Sequence, residues 1–326
     1  MPPSIDSLGM PPFEPRFPWW TGDLQTLANR FRRPPRLAPH RSERLSLKLE
    51  DGDTLLASLD RPEKPVPRRP LVVLVHGLTG SEDSHYMLSQ ARLLLDQGFY
   101  VLRLNLRGAG PSRTTCGGQY YAGRSQDFRA ALRLIPAELK RSGVAAVGYS
   151  LGGAMLLKYL GEEGTAAPLV AAVSISAPID LSAVCSNMLR PRNSVYHFYL
   201  LRQMKREATA EGAALTREER SAIQNAMTIW DYDEVFIAPR HRFGGAEDYY
   251  ERCKPLRFMP GIRVPTLIIA SRDDPWIPGE LYARYGWWKN LALKPLLHER
   301  GGHVGFHSAD SDVPWTDRAV ARFLAG

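Results

Sequence analysis

The chain has 326 residues and a formal net charge of +8, and 44% of its residues are hydrophobic and 23% are charged. This is the composition of an ordinary globular protein, long enough for one large domain with an insertion or for two domains. It lacks an apolar run of the roughly 20 residues that a membrane-spanning helix needs, and its three separated cysteines exclude a disulfide framework and a C-x-x-C site and favour a cytoplasmic setting.

Residues 1–40 form an arm rich in proline and arginine, and it has no apolar core of the kind found in signal peptides. Its aromatic residues, among them Trp19 and Trp20, predict that it packs along the main body. Residues 1–48 carry eight Lys/Arg against four acidic residues, an excess of 8 − 4 = +4. The favoured interpretation is a solvated leader, and the alternative is peripheral contact with an anionic membrane. No nucleic-acid-binding signature accompanies the charge, so nucleic acid is not an expected partner.

Alternating apolar residues on both sides of Asp51-Gly52-Asp53 predict a β-hairpin over residues 44–59. From Leu71 onward the chain alternates between short apolar runs and stretches with helical spacing. The pattern predicts helices over 82–96 and 124–140, and strands over 71–75, 99–106, 144–147 and 169–175. Such alternation is typical of an α/β fold, with a mostly parallel central sheet and helices on both faces.

The pattern breaks after Asp180, because residues 181–258 contain no clear core strand. Lys205 to Asn225 is charged and has helical spacing, and the stretch as a whole predicts an inserted helical cap. The sheet resumes with strands over 265–270 and 291–297, and a helix is expected over 314–325. The predicted organisation is therefore an arm, a core made of 41–180 and 259–326, and a cap.

The sequence Gly148-Tyr149-Ser150-Leu151-Gly152 lies between a predicted strand and a predicted helix. A G-x-S-x-G sequence in this setting is typical of a nucleophile elbow, whose turn is so tight that its flanking residues must be small. The turn presents the serine hydroxyl to other chain segments, and the N–H groups of the following helix favour negative charge nearby. Ser150 is therefore a candidate nucleophile.

A nucleophilic serine needs a base, and two later strands are each followed by a candidate partner. Because the carboxyl ends of neighbouring parallel strands share one edge, these residues should converge on Ser150. His303 is the expected base, in preference to His298, whereas His307 better fits a histidine of a surface loop. Asp274 is the preferred orienting acid, and Asp273 is the alternative, unless it caps the next helix or pairs with Arg272.

The tetrahedral intermediate places negative charge on the former carbonyl oxygen, and two preformed backbone N–H donors are needed to stabilise it. Leu151, directly after the nucleophile, and Leu78, in the loop after the first core strand, are the expected oxyanion-hole residues. The Gly-rich loops lack the ending of a phosphate-binding loop, and no dinucleotide fingerprint is present. A metal site at His303 and His307 lacks a recognisable ligand set. We therefore expect no cofactor and no metal.

These motifs resemble the α/β-hydrolase superfamily, and more closely its YheT-like group, which is related to the ABHD1/2/3 branch and to plant EMB8-like proteins. The matching pieces span nearly the whole chain and are 23–27, 76–81, 105–108, 148–153, 249–250, 273–275 and 301–306. Asp23 departs from the pattern, because the group usually has a histidine there. The resemblance implies a cytoplasmic, cofactor-free serine hydrolase that acts on carboxylic esters.

The favoured hypothesis is a carboxylic-ester hydrolase with a Ser150-Asp274-His303 triad, acting on a small-molecule or lipid ester. A lipase or phospholipase at a membrane surface is the alternative, supported by the basic arm. A serine aminopeptidase would need acids in the cap to bind an amine, but we expect the candidates to face solvent, namely Glu207, Glu211, Glu218 and Glu219. A catalytically silent binding protein on a hydrolase scaffold is the remaining hypothesis.

Overall fold

The computed structural model describes residues 9–326. Its strands form one sheet in the order β1-β2-β4-β3-β5-β6-β7-β8. The strands are β1 (Arg41–Lys48), β2 (Thr54–Arg61), β3 (Leu71–Val75), β4 (Val101–Leu104), β5 (Val144–Tyr149), β6 (Ala171–Ile175), β7 (Thr266–Ser271) and β8 (Leu293–His298). β1 and β2 pair antiparallel, as do β2 and β4, and every other neighbouring pair is parallel. The predicted mostly parallel α/β sheet is confirmed, with the predicted hairpin at its edge.

Twelve α-helices lie within the described residues. They are α1 (Gly22–Phe31), α2 (His85–Asp96), α3 (Ser125–Leu134), α4 (Leu151–Glu163), α5 (Leu181–Met188), α6 (Ser194–Ala208), α7 (Arg217–Asn225), α8 (Ile229–Tyr232), α9 (Ala238–Arg240), α10 (Ala246–Cys253), α11 (Glu280–Ala283) and α12 (Trp315–Ala325). The segment predicted as one helix over 124–140 is α3 followed by a separate 3₁₀ turn, Ala137–Lys140, because Pro136 interrupts it. The charged stretch from Lys205 is likewise divided between α6 and α7.

The core lies on both faces of the sheet, because the central strands are buried on both sides. All residues of β3 and β5 are buried. Val73 packs with the core on one face, whereas Val72 and Leu74 pack with the core on the other. A strand that is covered on both faces has no polar side to show, which explains the unbroken apolar runs in the sequence.

Helices α5 to α10 lie between β6 and β7, and residues 181–258, which contain them, are named the cap segment. No strand interrupts these described residues. Buried apolar residues of the cap segment, such as Leu200 and Met204, belong to the same core cluster as β3 and α4. The cap segment therefore packs continuously with the sheet domain.

Asp317 in α12 is a buried acid beneath the sheet, and the Ser89 hydroxyl donates to its Oδ2 at 2.6 Å. Burial raises the pKa of Asp317 from 3.8 to about 7. Between these two pH values the unfolded chain loses the proton and the folded chain keeps it. The contribution of Asp317 to the free energy of unfolding is therefore fully present below about pH 4 and falls as pH rises to about 7.

We expect Asp317→Asn to remove this pH dependence, since an amide oxygen still accepts from Ser89 but does not ionise. Urea unfolding at several pH values measures the free energy of unfolding of both proteins. Between pH 4 and 7 this free energy should fall by on the order of 2–4 kcal/mol more for the wild type than for the variant. Parallel pH profiles for the two proteins would contradict the assignment.

Candidate active site

Ser150 lies at the turn between β5 and α4 with a strained backbone, at φ 49° and ψ −120°. Its N–H donates to the Ile175 carbonyl of the neighbouring strand at 2.8 Å, which fixes the turn against the sheet. A Cβ at Gly148 would lie 2.6 Å from the Gly152 carbonyl oxygen, and one at Gly152 would lie 2.4 Å from the His76 carbonyl oxygen. The two flanking positions therefore require glycine, as the sequence predicted.

We expect Gly152→Ala to be strongly destabilising, because the atoms that its methyl group meets are backbone atoms at the end of β3. The free energy of unfolding should fall by about 2–4 kcal/mol. Gly244→Ala is the matched control, because a Cβ there meets nothing closer than 3.8 Å. Equal urea midpoints for the two variants would contradict a close approach of Gly152 to the backbone after β3.

His303 lies between Ser150 and Asp274 and forms a hydrogen bond with each. Its Nε2 is 2.9 Å from the Ser150 Oγ, 153 positions away along the chain, and its Nδ1 is 2.8 Å from the Asp274 Oδ2. The second oxygen of Asp274 accepts the N–H groups of Trp276 at 2.8 Å and Ile277 at 3.0 Å. The carboxylate is thereby held in one orientation, with one oxygen facing the imidazole.

Asp273, the alternative acid, contacts the loop of the histidine and not its ring. Its Oδ1 accepts the N–H of Gly302 at 2.9 Å, and burial raises its pKa. This contact matches neither of the two roles considered from sequence, capping a helix or pairing with Arg272. The Arg272 guanidinium instead lies 3.4 Å from Glu299. The geometry therefore pairs the imidazole with Asp274.

The loop of His303 is fixed by α1, which precedes the sheet in the chain. The His303 N–H donates to the Thr26 Oγ1 at 2.8 Å, and the Asn29 side chain donates to the Val304 carbonyl at 2.7 Å. The Gln25 amide binds both the N–H and the carbonyl of His307, at 2.8 and 3.0 Å. Sequence reasoning missed this support, although polar residues at 25, 26 and 29 share one helical face.

His307 is not the surface histidine that the sequence suggested, because it is only 1% exposed. Its Nε2 lies 2.9 Å from the Asn29 Oδ1, and burial lowers its pKa to about 3. His298 is also buried, against Trp315, and burial lowers its pKa to about 4. Both imidazoles are neutral and belong to the structural core, which leaves His303 as the histidine in contact with Ser150.

The two predicted oxyanion donors, Leu78 and Leu151, line the same cavity as Ser150. Among the described residues neither backbone N–H donates to another protein atom, whereas the Thr79 N–H beside Leu78 donates to the Tyr120 hydroxyl at 2.8 Å. Burial lowers the pKa of His76 to about 4, and its neutral ring contacts the Gly77 carbonyl at 2.8 Å. The loop that carries Leu78 is thus held in place, and the Leu78 N–H has no acceptor among the described residues.

The cavity above Ser150 has a volume of about 120 Å³ and a mostly apolar wall. Its lining combines the Ser150 turn with the cap segment and the loop after β7. The cap-segment and loop side chains in the wall include Leu181, Cys185, Met188, Leu200, Met204, Trp276 and Ile277. Such a space suits an apolar group attached to the atom that Ser150 reaches.

Glu207 lines this cavity, which corrects the expectation that it faces solvent. The Tyr120 hydroxyl donates to its Oε2 at 2.8 Å, and burial raises its pKa to about 7. Asp233 also lines the cavity, where the Tyr250 hydroxyl donates to it at 2.6 Å, and its pKa is likewise raised to about 7 by burial. Glu207 shares a helical face with the buried Leu200 and Met204, a spacing that indicated its position.

The other acids of the cap segment lie away from the cavity. Glu211 and Glu218 are exposed, and Glu219 pairs with Arg240 at 2.6 Å. In residues 9–326 no three or more His, Cys, Asp or Glu side chains are grouped so as to hold a metal ion. None of the described helices is both long and apolar enough to span a bilayer.

Comparison with known proteins agrees with this fold. The model of the alpha/beta hydrolase family matches residues 72–313. The chain belongs to this family. It is 32% identical over 291 residues to the putative esterase YheT of Escherichia coli, covering 87% of this chain and 83% of that protein. The resemblance to the YheT-like group is confirmed.

Two eukaryotic relatives extend the comparison. The medium-chain fatty acid ethyl ester synthase/esterase 2 of Saccharomyces cerevisiae is 30% identical over 281 residues, which are 78% of this chain and 62% of that protein. The human phospholipase ABHD3 is 24% identical, over 88% of this chain and 71% of its own length. These relatives support a hydrolase, and the family member from yeast is substantially longer than the matched region.

Solved structures agree on the fold. The esterase Pf2001 of Pyrococcus furiosus superposes with a TM-score of 0.58 at 18% identity, covering 90% of this chain and 98% of that one. At this identity the likeness shows the architecture alone. This shared architecture agrees with the family match.

Proposed function

We propose that the chain is a carboxylic-ester hydrolase that works through an acyl-enzyme intermediate. The observation that carries the proposal is the continuous hydrogen-bonded line from Ser150 through His303 to Asp274, opening on an apolar cavity. A hydroxyl joined in this way to a base with an oriented partner has the arrangement of an activated nucleophile. The α/β-hydrolase family match and the esterase names of relatives support the same reaction class.

In the proposed reaction the Ser150 Oγ attacks the ester carbonyl carbon as His303 Nε2 takes the hydroxyl proton. Asp274 holds the Nδ1 proton and stabilises the imidazolium, and the oxyanion receives the N–H groups of Leu78 and Leu151. The bond to the alcohol oxygen breaks, and His303 gives its proton to the departing alcohol. Water, deprotonated by His303, then attacks the acyl-serine ester, and His303 returns the proton to the departing Ser150 Oγ as the acid is released.

The cap segment has the proposed role of selecting the acyl and alcohol groups, since its apolar side chains form much of the cavity wall. A series of p-nitrophenyl esters of increasing chain length tests both parts of the proposal. We expect hydrolysis with one preferred chain length. Trapping with a fluorophosphonate should add one phosphonyl group to the peptide that contains Ser150. A folded protein that neither hydrolyses esters nor reacts with the probe would favour a binding protein on a hydrolase scaffold.

A second candidate, an aminopeptidase, is favoured by one observation, the position of Glu207 and Asp233 in the cavity wall. A substrate amine would need at least one of these acids in its charged form. Burial raises the pKa of both to about 7, so each is substantially protonated at neutral pH. Amino-acid p-nitroanilides offered beside the esters distinguish the two reactions, and we expect the esters to be cleaved faster.

A further inference from the structure

Helix α1 directs its polar face inward and its apolar face outward, the reverse of an ordinary surface helix. Its buried side carries Gln25 and Asn29, which bind the loop of His303. Its outer side carries Leu27 and Phe31, and Phe31 is 70% exposed. Trp20, two residues before the helix, is exposed as well. An exposed apolar face of this kind needs a partner to cover it.

Helix α6 shows a similar division. Its inner residues Leu200 and Met204 line the cavity above Ser150. Its outer residues Val195 and Phe198 are exposed, and Phe198 is 63% exposed. The apolar outer surface of α6 therefore lies on the other side of the same helix that forms the cavity wall.

The outer surfaces of the two helices are joined by side-chain contacts. Asp23 of α1 binds Arg192 at 2.8 Å and the Tyr196 hydroxyl at 3.0 Å, and Arg30 donates to the Tyr199 hydroxyl at 3.1 Å. The two helices thus adjoin. We name the exposed apolar residues on them and just before α1 the α1–α6 face, which consists of Phe17, Trp20, Leu27, Phe31, Val195 and Phe198.

The two chain segments that carry most of this face are basic, although Asp273 and Glu299 lie beside Trp20. Residues 24–42 contain five arginines and no acid, and residues 181–206 contain five Lys/Arg and no acid. Asp23 is engaged by Arg192 and Tyr196. Arg33, Arg202 and Arg206 are exposed and have no ion-pair partner in the part of the chain that the structure describes. A surface that is both apolar and cationic is complementary to an anionic lipid surface.

We propose that the α1–α6 face docks on an anionic lipid bilayer, with its aromatic and aliphatic side chains in the interface and its arginines against the lipid phosphates. The basic arm considered from sequence is thereby only one half of the surface, and the cap segment supplies the other half. A second copy of the chain fits less well, because two such faces would bring their positive charges together. Docking would place the cavity wall within about 10 Å of the lipid, the width of one helix. The proposal does not depend on catalysis by Ser150.

Vesicle co-sedimentation of the full chain tests the proposal. Wild-type protein should sediment with phosphatidylcholine vesicles that contain phosphatidylglycerol, and binding should weaken with added salt. The double variant Phe31→Ser/Phe198→Ser should lower the partition coefficient at least about tenfold. The triple variant Arg33→Gln/Arg202→Gln/Arg206→Gln should lower it for anionic vesicles and reduce the salt dependence.

The matched control is Trp288→Ser/Leu291→Ser, which removes two apolar side chains, 78% and 88% exposed, outside the face. It should sediment like the wild type, and equal melting temperatures show that the variants are folded. Equal binding by the Phe31/Phe198 variant, equal loss in the control, or equal binding to neutral and anionic vesicles would overturn the proposal. Wild-type dimerisation that the Phe31/Phe198 variant abolishes would assign the face to a second copy, which would also overturn it.

Discussion

Replacing Ser150 by alanine is expected to abolish ester hydrolysis while leaving the fold intact. The substitution removes only the Oγ that lies 2.9 Å from His303, and the turn keeps its backbone contact with Ile175. In enzymes of this mechanism, loss of the nucleophile removes the acyl-enzyme route altogether, so turnover should fall by at least about 10⁴-fold. Hydrolysis of p-nitrophenyl esters measures the loss, and intact mass after fluorophosphonate treatment measures labelling.

Ser186→Ala provides the control, because Ser186 is an exposed serine in α5. This variant should retain both turnover and labelling. Residual turnover by the Ser150 variant near the wild-type rate would place the nucleophile elsewhere. Loss of turnover with a lowered melting temperature would indicate an unfolded protein, and the comparison would then be repeated with Ser150→Cys, which keeps a nucleophilic atom at the same position.

The second large effect is expected at Asp274 and not at the adjacent Asp273. Asp274→Asn removes the negative charge that faces the His303 Nδ1 and allows the imidazole its other tautomer, so kcat should fall by about 10⁴-fold. Asp273→Asn keeps an oxygen that can accept the Gly302 N–H, and we expect less than about a tenfold change. The contrast follows from which carboxylate contacts the ring and which contacts the backbone of the loop.

Steady-state kinetics on one ester, with both variants prepared in parallel, measures the contrast. The melting temperature of each variant controls for the hydrogen bonds that Asp274 also accepts from Trp276 and Ile277. Equal losses in the two variants would remove the basis for assigning Asp274 as the orienting acid. A larger loss for Asp273→Asn would reverse the assignment.

The features that could be predicted from sequence are those that depend on residues close together in the chain. The unbroken apolar run 71–75 specifies a strand covered on both faces, and its bounds are those of β3. The glycines beside Ser150 are required by a close approach of backbone segments that any such turn produces. The strand-end positions of Asp274 and His303 follow from the geometry of parallel sheets, which brings such ends to one edge.

The features that sequence reasoning missed depend on contacts between distant segments. His307 sits in a Gly-containing loop, a local pattern that is typical of a surface position, yet Asn29 and Gln25 of α1 cover it. Glu207 lies in a charged stretch, and although its spacing from Leu200 and Met204 places it on the buried face of α6, its contact with the distant Tyr120 is not visible in the local pattern. The outward apolar face of α1 could not be predicted, because the sequence does not show which side of the helix the loop of His303 occupies.

The contact between α1 and the loop of His303 has a consequence for how the protein matures during synthesis. Thr26 and Gln25 leave the ribosome well before their partners, which lie 277 and 282 positions later in the chain. The sheet strands up to β6 can assemble on the emerging chain, since domains fold progressively as they are made. The imidazole cannot be positioned until the segment that contains His303 has been released and has closed against α1. A nascent chain therefore carries its serine in place long before it has a base to activate it.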